Sequence, residues 1–213
     1  MKKLFLSLSA ILFSSAVFAQ VAEDIKLNAP DKTGGMPIMQ AFAERHSDRV
    51  FDTKELSLQD LSDLLWAANG VNRPDGKRTA PSAADKKDVS VYVFLKSGAY
   101  LYDAPNHILK GLVAGDRRET VGANTDIIKV SQIPVILVLV SDVSLFGDNT
   151  EGTRLTGAID AGIVSQNISL FCAGRGLSTV PRGSMDKDAI KSLLKLSDAQ
   201  IPILNNLVGY PKK

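Results

Sequence analysis

Cysteine is all but missing from this chain of 213 residues: Cys172 stands alone, so no intrachain disulfide can form. Histidine is almost as scarce. One cysteine with His46 and His107 is too small a ligand set for an all-protein zinc site of the usual Cys/His type. Charge of one sign is lacking too. The 25 basic and 23 acidic residues leave a formal net charge of +2, which gives no electrostatic footprint for nucleic acid. No apolar run after the first twenty residues reaches membrane-spanning length, and there is no internal repeat or low-complexity segment. What remains is 45% hydrophobic and 23% charged, close to the globular average, which excludes disorder, collagen and coiled coil. The length suits one domain with a core that needs no covalent staple.

The first nineteen residues read as an export signal. Lys2 and Lys3 form the basic start, Leu4 to Val17 a mostly apolar stretch, and Val17-Phe18-Ala19 a small-residue cleavage site before Gln20. No cysteine near the cleavage point offers a lipid attachment, and no twin arginine is present, so Sec export to a periplasmic or secreted location is expected. Without Lys2 and Lys3 the mature chain has 23 basic against 23 acidic residues. A lone cysteine also spares an exported protein from mispairing.

Residues 20–36 are polar, with Pro30, Gly34 and Gly35, and read as a poorly ordered arm ahead of a domain spanning 37–213. Pro37 suits the first turn of a short helix to His46. Ser57-Leu58-Gln59-Asp60 is a helix start, with Leu58, Leu61, Leu64, Leu65 and Ala68 at helical spacing and Asn69-Gly70 as the stop. A long loop covers 71–87. Strands are expected at 89–96 and 99–102, short glycine-broken helices across 106–131, and a strand buried on both faces at 135–140. The longest helix runs from 152 to 173, and its Gly157, Ala161, Gly162 and Ser165 would let another backbone approach. A strand at 178–182, a helix opened by Asp186, a break at Pro202 and a strand at 203–210 complete an α+β fold.

Two apparent motifs fail on context. Gly174-Arg175-Gly176 lacks the third glycine of a dinucleotide fingerprint and follows a helix rather than a strand. Ser184 has Arg182 two residues before it, not the glycine of a nucleophile elbow. The informative residues lie in three places. Arg45-His46-Ser47-Asp48-Arg49 packs two guanidiniums and a hydroxyl into five residues; guanidinium forks match phosphate, although a solvated helix end has the same composition. Arg78 to Ala83 lies in the long loop, where an ordinary polar turn is the plain alternative. Gln166-Asn167 in the long helix, with Gly174 to Gly183, places amides that need partners if buried.

In order and spacing these segments resemble the nitroreductase family of flavin enzymes. The ordered set is R-H-S-x-R-x-F, L-L-W-A-A-N-G, A-P-S-A before a strand, Q-N in a long helix, A-x-x-G-L-x-T-V and a closing V-G-Y-P. Asn69 to Arg73, Arg78 to Ala83 and Tyr100 to Asp103 look most like the azoline-dehydrogenase-related branch. The resemblance covers roughly residues 38–211. It implies a central, mostly antiparallel sheet flanked by helices and a homodimer joined through the long helix, with FMN at the subunit interface. By that likeness Arg45, His46 and Ser47 sit at the phosphate and ribityl chain, and Arg49 near the pyrimidine edge. Pro81, Ser82 and Ala83 line the ring or ribityl chain, and Asn167 belongs to the same site. Val180, Arg182 and Gly183 run past the dimethylbenzene and N5 side, with a backbone N–H on offer. Lys212 and Lys213 are phosphate candidates. Asp85 stands where many relatives have an asparagine. No residue presents itself as a general acid.

The resemblance implies an FMN-dependent oxidoreductase passing electrons between a reduced donor and a small acceptor such as a nitroaromatic or quinone. Two other functions fit the residues: a flavin- or phospholigand-binding module without turnover, and a hydrolase using Ser82 or Ser184 with His46.

Overall fold

The computed structural model describes residues 20–123 and 128–212, so the export signal expected at 1–19 lies outside the described residues, as does Lys213. The strands are β1 (Ile25–Lys26), β2 (Val89–Leu95), β3 (Gly98–Asp103), β4 (Ile108–Ala114), β5 (Val135–Asp142), β6 (Ser178–Arg182) and β7 (Gln200–Gly209). They form one seven-stranded sheet in the order β1-β4-β3-β2-β5-β7-β6, and every pairing is antiparallel. The helices are α1 (Ile38–Glu44), α2 (Leu58–Asn69), α3 (Glu151–Arg175) and α4 (Lys187–Leu194).

β5 runs through the middle and is buried from Val135 to Ser141. Its apolar run lacks polar alternation because both faces are covered. Leu137 and Leu139 pack with Val91, Val93, Leu64, Leu65, Val164 and Ile168, under α2 and α3. Ile136, Val138 and Val140 point the other way, to Tyr92, Phe94, Leu207 and Ile190 of α4. The result is three layers with two cores, the α+β nitroreductase-like arrangement expected from the sequence.

The helix ends follow the expected signals, except that the cap at the start of α3 is one the sequence reading did not name. The Ser57 hydroxyl accepts from the Asp60 N–H at 3.0 Å and opens α2, while the Gly70 N–H donates to the Trp66 carbonyl at 2.8 Å. Thr150 and Thr153 form a reciprocal capping box at the start of α3, and Gly176, at φ 65°, ends it in the left-handed conformation. Asp186 caps α4 through the Ala189 N–H.

Several expectations are corrected. Pro37 is the N-cap of α1 rather than a first-turn residue. The segment read as broken helices contains strand β4. Gly111 sits inside it because a Cβ there would collide with the backbone of Ala22, which crosses at that point. Residues 20–36 are not a loose arm. Ile25 and Lys26 pair with β4, Ala22 and Leu27 are buried, and the N–H groups of Asn28 and Asp31 donate to Ser62 and Asp63 of α2. Pro202 does not break the last strand. It lies within β7 at a register shift opposite Val140, beyond the stretch that β6 covers.

The small residues of α3 face this chain's own sheet. A Cβ on Gly157 would strike the Ser141 hydroxyl, Ala161 is fully buried, and the Ser165 hydroxyl donates to Asn206 Oδ1 at 2.9 Å. Gly162 has open space around it. The outward apolar positions of α3 are Leu155 and Ile159, and nearby α1 exposes Ile38, Met39 and Phe42.

Candidate cofactor site

Strand β6 is a sheet edge, and the segment after α1 runs beside it. The Asp48 N–H donates to the Thr179 carbonyl at 2.9 Å, and the Ser178 hydroxyl donates to Asp48 Oδ2 at 2.7 Å. Further on, Asp52 N–H donates to the Tyr210 carbonyl and Phe51 bridges to Pro211. The even-numbered side chains hold this segment. His46 Nδ1 lies 2.6 Å from the Glu44 carbonyl and Nε2 lies 3.2 Å from Asp48 Oδ2. A carbonyl only accepts, so Nδ1 donates, and the hydrogen bond to Glu44 with the Asp48 charge raises the His46 pKa.

Alternation in an extended segment turns Arg45, Ser47 and Arg49 the other way. Among the described residues, no hydrogen bond or ion pair engages these three side chains. Two guanidiniums and a hydroxyl therefore stand ready on a segment whose backbone is fastened. Arg49 continues into a cleft of about 350 Å³ that also holds Lys129, Gln132 and Lys212.

In an antiparallel strand the N–H and C=O of one residue point to the same side. Thr179 points outward to Asp48, so Pro181, two residues on, also faces outward and leaves no ladder bond unmade. Val180 buries its side chain in the core and turns its backbone to Leu207 of β7, so the structure does not bear out its place beside a ligand. Arg182 is half-buried, and its Nε donates to Asn205 Oδ1 at 3.0 Å. Asn205 Nδ2 donates to the carbonyls of Arg182 at 3.2 Å and Ser184 at 2.9 Å. This fully buried amide grips the main chain on both sides of Gly183, where a Cβ would meet nothing within 4 Å. The sequence reading missed Asn205. Its only signal was an Asn-Asn pair inside an apolar strand.

The loop at Pro81–Ala83 is held elsewhere. The Lys87 N–H donates to the Ser82 hydroxyl at 2.7 Å, and the Ala83 N–H donates to Asp160 Oδ2 of α3 at 2.8 Å. Ala84, Asp85 and Lys87 all have φ near 50°, costly for residues with a Cβ. Asp85 is exposed and paired with Lys87 Nζ at 3.0 Å, which offsets its charge. Within one chain no hydrogen bond among the described residues joins this loop to Arg45–Arg49. Asn167 is also apart: it donates to the Ala68 carbonyl at 3.3 Å and lines a separate groove of about 420 Å³ with Trp66 and Phe171. Gln166 is exposed, so the amide pair expected to be buried is not.

The histidines do not serve a serine nucleophile. His46 is occupied as described. His107 Nε2 donates to the Asn28 carbonyl at 2.9 Å and Nδ1 accepts from the Tyr102 hydroxyl at 2.8 Å, a neutral ring whose pKa burial lowers. Neither ring has a nitrogen left as a base for Ser82 or Ser184. Among the described residues no His/Cys/Asp/Glu group could hold a metal, and no helix is long and apolar enough to cross a membrane.

A profile described as the nitroreductase family matches residues 42–210. The chain is similar to a candidate nitroreductase of Methanocaldococcus jannaschii, 28% identical over 204 residues that make up 89% of this chain and 98% of that one. It superposes on a crystal structure of a candidate nitroreductase from Ralstonia eutropha JMP134 with a TM-score of 0.82 and 34% identity, covering 92% and 96% of the two chains. A candidate NAD(P)H:FMN oxidoreductase of Staphylococcus epidermidis shares the fold at 14% identity, with a TM-score of 0.62 and coverage of 87% and 92%. The chain belongs to the nitroreductase family and, with it, to the oxidoreductases.

Proposed function

We propose that the protein is an FMN-dependent oxidoreductase that works as a homodimer and passes electrons from a reduced donor to a small acceptor such as a nitroaromatic or quinone. The observation that carries this is the segment Arg45–Arg49, fastened along β6 with Arg45, Ser47 and Arg49 unengaged. Its donor set fits a phosphate, a ribityl hydroxyl and an electron-rich ring edge, in that order. FMN, when bound, supplies hydride or electron transfer at its N5.

The protein's own residues bind and orient. Arg45 takes the phosphate as a planar fork of donors, and Ser47 adds a hydroxyl. Arg49 favours negative charge near the pyrimidine edge. Gly183 follows β6 in a bend that Asn205 fixes, with open space beside it, and its N–H would be the donor offered to the flavin. Pro81–Ala83 lies away from this segment in one chain, and in a dimer the partner's loop would complete the site. The exposed residues of α1 and α3 support that dimer. Export through residues 1–19 and a place in the azoline-dehydrogenase-related branch rest on the sequence motifs alone, and an exported enzyme would need a donor other than cytoplasmic nicotinamide.

The test uses the chain from Gln20 onward, mixed with FMN, freed of unbound ligand and examined by visible absorption. Wild type is expected to retain flavin, and Arg45→Ala to bind it about tenfold to a hundredfold more weakly, the usual loss for a hydrogen bond to a charged group. A wild type that retains no flavin at any FMN concentration overturns the reading. Retained flavin that no donor reduces would favour a binding module.

A further inference from the structure

The strained loop at 81–87 is anchored through a buried carboxyl pair that the function above does not use. Asp160 and Asp88 are 4% and 1% exposed. Asp160 comes from the middle of α3, and Asp88 stands just before β2. Asp160 Oδ2 receives the Ala83 N–H at 2.8 Å, the Ser141 hydroxyl of β5 donates to Asp88 Oδ2 at 2.6 Å, and Asp88 Oδ1 is buried without a partner, near enough to Asp160 to feel its charge. Burial, and the Asp160 charge close by, favour the protonated form of Asp88.

We propose that Asp160 is a positioning residue for the cofactor loop: its carboxylate fixes the Ala83 amide, and Asp88, buried beside it and held by Ser141, keeps Asp160 in that pose. The proposal rests on reading Pro81–Ala83 as a cofactor loop. Ala83 is followed directly by Ala84 and Asp85 at positive φ, so a fixed N–H at Ala83 sets where the left-handed turn begins. The tight seat of Gly157 against Ser141 and Asp88 keeps α3 at the distance this contact needs.

The surroundings of Asp88 are specific. Asp160 faces it from α3 and Arg78 from the preceding loop, with Asp85 beyond Arg78. β5 offers the uncharged Ser141, and Asp142 there donates its backbone N–H to the Asp88 carbonyl. α2 offers the neutral Asn69, bonded to the Val89 carbonyl. Burial, with a smaller contribution from Asp160, pushes the Asp88 carboxyl up to about 6 against the opposing Ser141 bond. The anchor is thus complete in mild acid and weakens as pH rises past that point.

The test is hydrogen–deuterium exchange of the 79–87 peptide from pH 5 to 8, corrected for intrinsic rate, beside FMN affinity over the same range. Wild type is expected to lose loop protection by about tenfold as pH rises through the Asp88 transition, the equivalent of one charged hydrogen bond, with FMN affinity following. Asp88→Asn mimics the protonated acid and should flatten both curves. Asp160→Asn still accepts from Ala83 and should keep the protection without the pH step. Asp160→Ala should lose protection at every pH while a β5 peptide stays protected. A pH-independent wild-type loop, or an Asp160→Ala loop as protected as wild type, overturns the proposal. So does an FMN affinity that ignores the loop while wild type binds flavin. Failure of wild type to retain FMN at any pH strikes the functional reading instead, and the exchange data alone then decide the Asp160 anchor.

Discussion

At the scale of single residues, the strongest constraints are the buried polar groups. Asn205 accepts one hydrogen bond and donates two while fully buried. Asn205→Ala strands the Arg182 Nε donor and two carbonyl acceptors, at about 2–3 kcal/mol, read as a lower urea midpoint. Asp88 makes the molecule's stability depend on pH with a definite sign. Its carboxyl is raised in the folded state, so its contribution is fully present below the ordinary carboxylate range and is lost as pH rises through about 6. Asp31, held down at about 2 by the Thr33 contacts, has made its opposite contribution by about pH 4. His46, raised, adds a fall of the same sign as that of Asp88, but from higher pH. His107, whose pKa burial lowers, works the other way in the same range, so the Asp88 part is read as a difference: between pH 5 and 7 the urea midpoint of wild type should fall relative to that of Asp88→Asn. These groups were hard to read in the sequence, since a lone Asp or Asn says nothing about burial. Arg45, Ser47 and Arg49 were legible because their chemistry is concentrated in one short segment.

At the scale of elements, local signals carried most of the architecture. Ser57, Thr150, Asp186 and Gly176 act on their own neighbours, and the continuous apolar run of β5 reports two covered faces. What failed depended on distant partners. Gly111 of β4 looked like a breaker because nothing nearby in the sequence shows that Ala22 crosses there. Gly111→Val should force that crossing apart at about 1–3 kcal/mol, and hydrogen exchange should show β1 and residues 20–31 released while β5 stays protected. The small residues of α3 carry a similar lesson. Their spacing permits a close approach but not which surface makes it, and here it is the chain's own sheet.

At the scale of the whole molecule, the exposed apolar residues of α1 and α3 describe an unfinished surface. Leu155 and Ile159 lie one helical turn apart on one face of α3. Replacing both by glutamate should convert a dimer into monomers in light scattering. FMN retention should fall with it if the partner's Pro81–Ala83 completes the site. Pairing between chains leaves no trace in a single sequence beyond exposed side chains that only the folded structure reveals, so this surface was the least legible part of the molecule. The open flank of the sheet also has a bearing on solubility. An unpaired strand is a template on which neighbouring molecules can stack, and a chain that folds after crossing a membrane would pass through a crowded, partly assembled stage. On β6 the Thr179 carbonyl is already taken by the Asp48 N–H, and Pro181, exposed and with no N–H to offer, denies the template its next donor. The proline thus keeps the protein from polymerising through that edge.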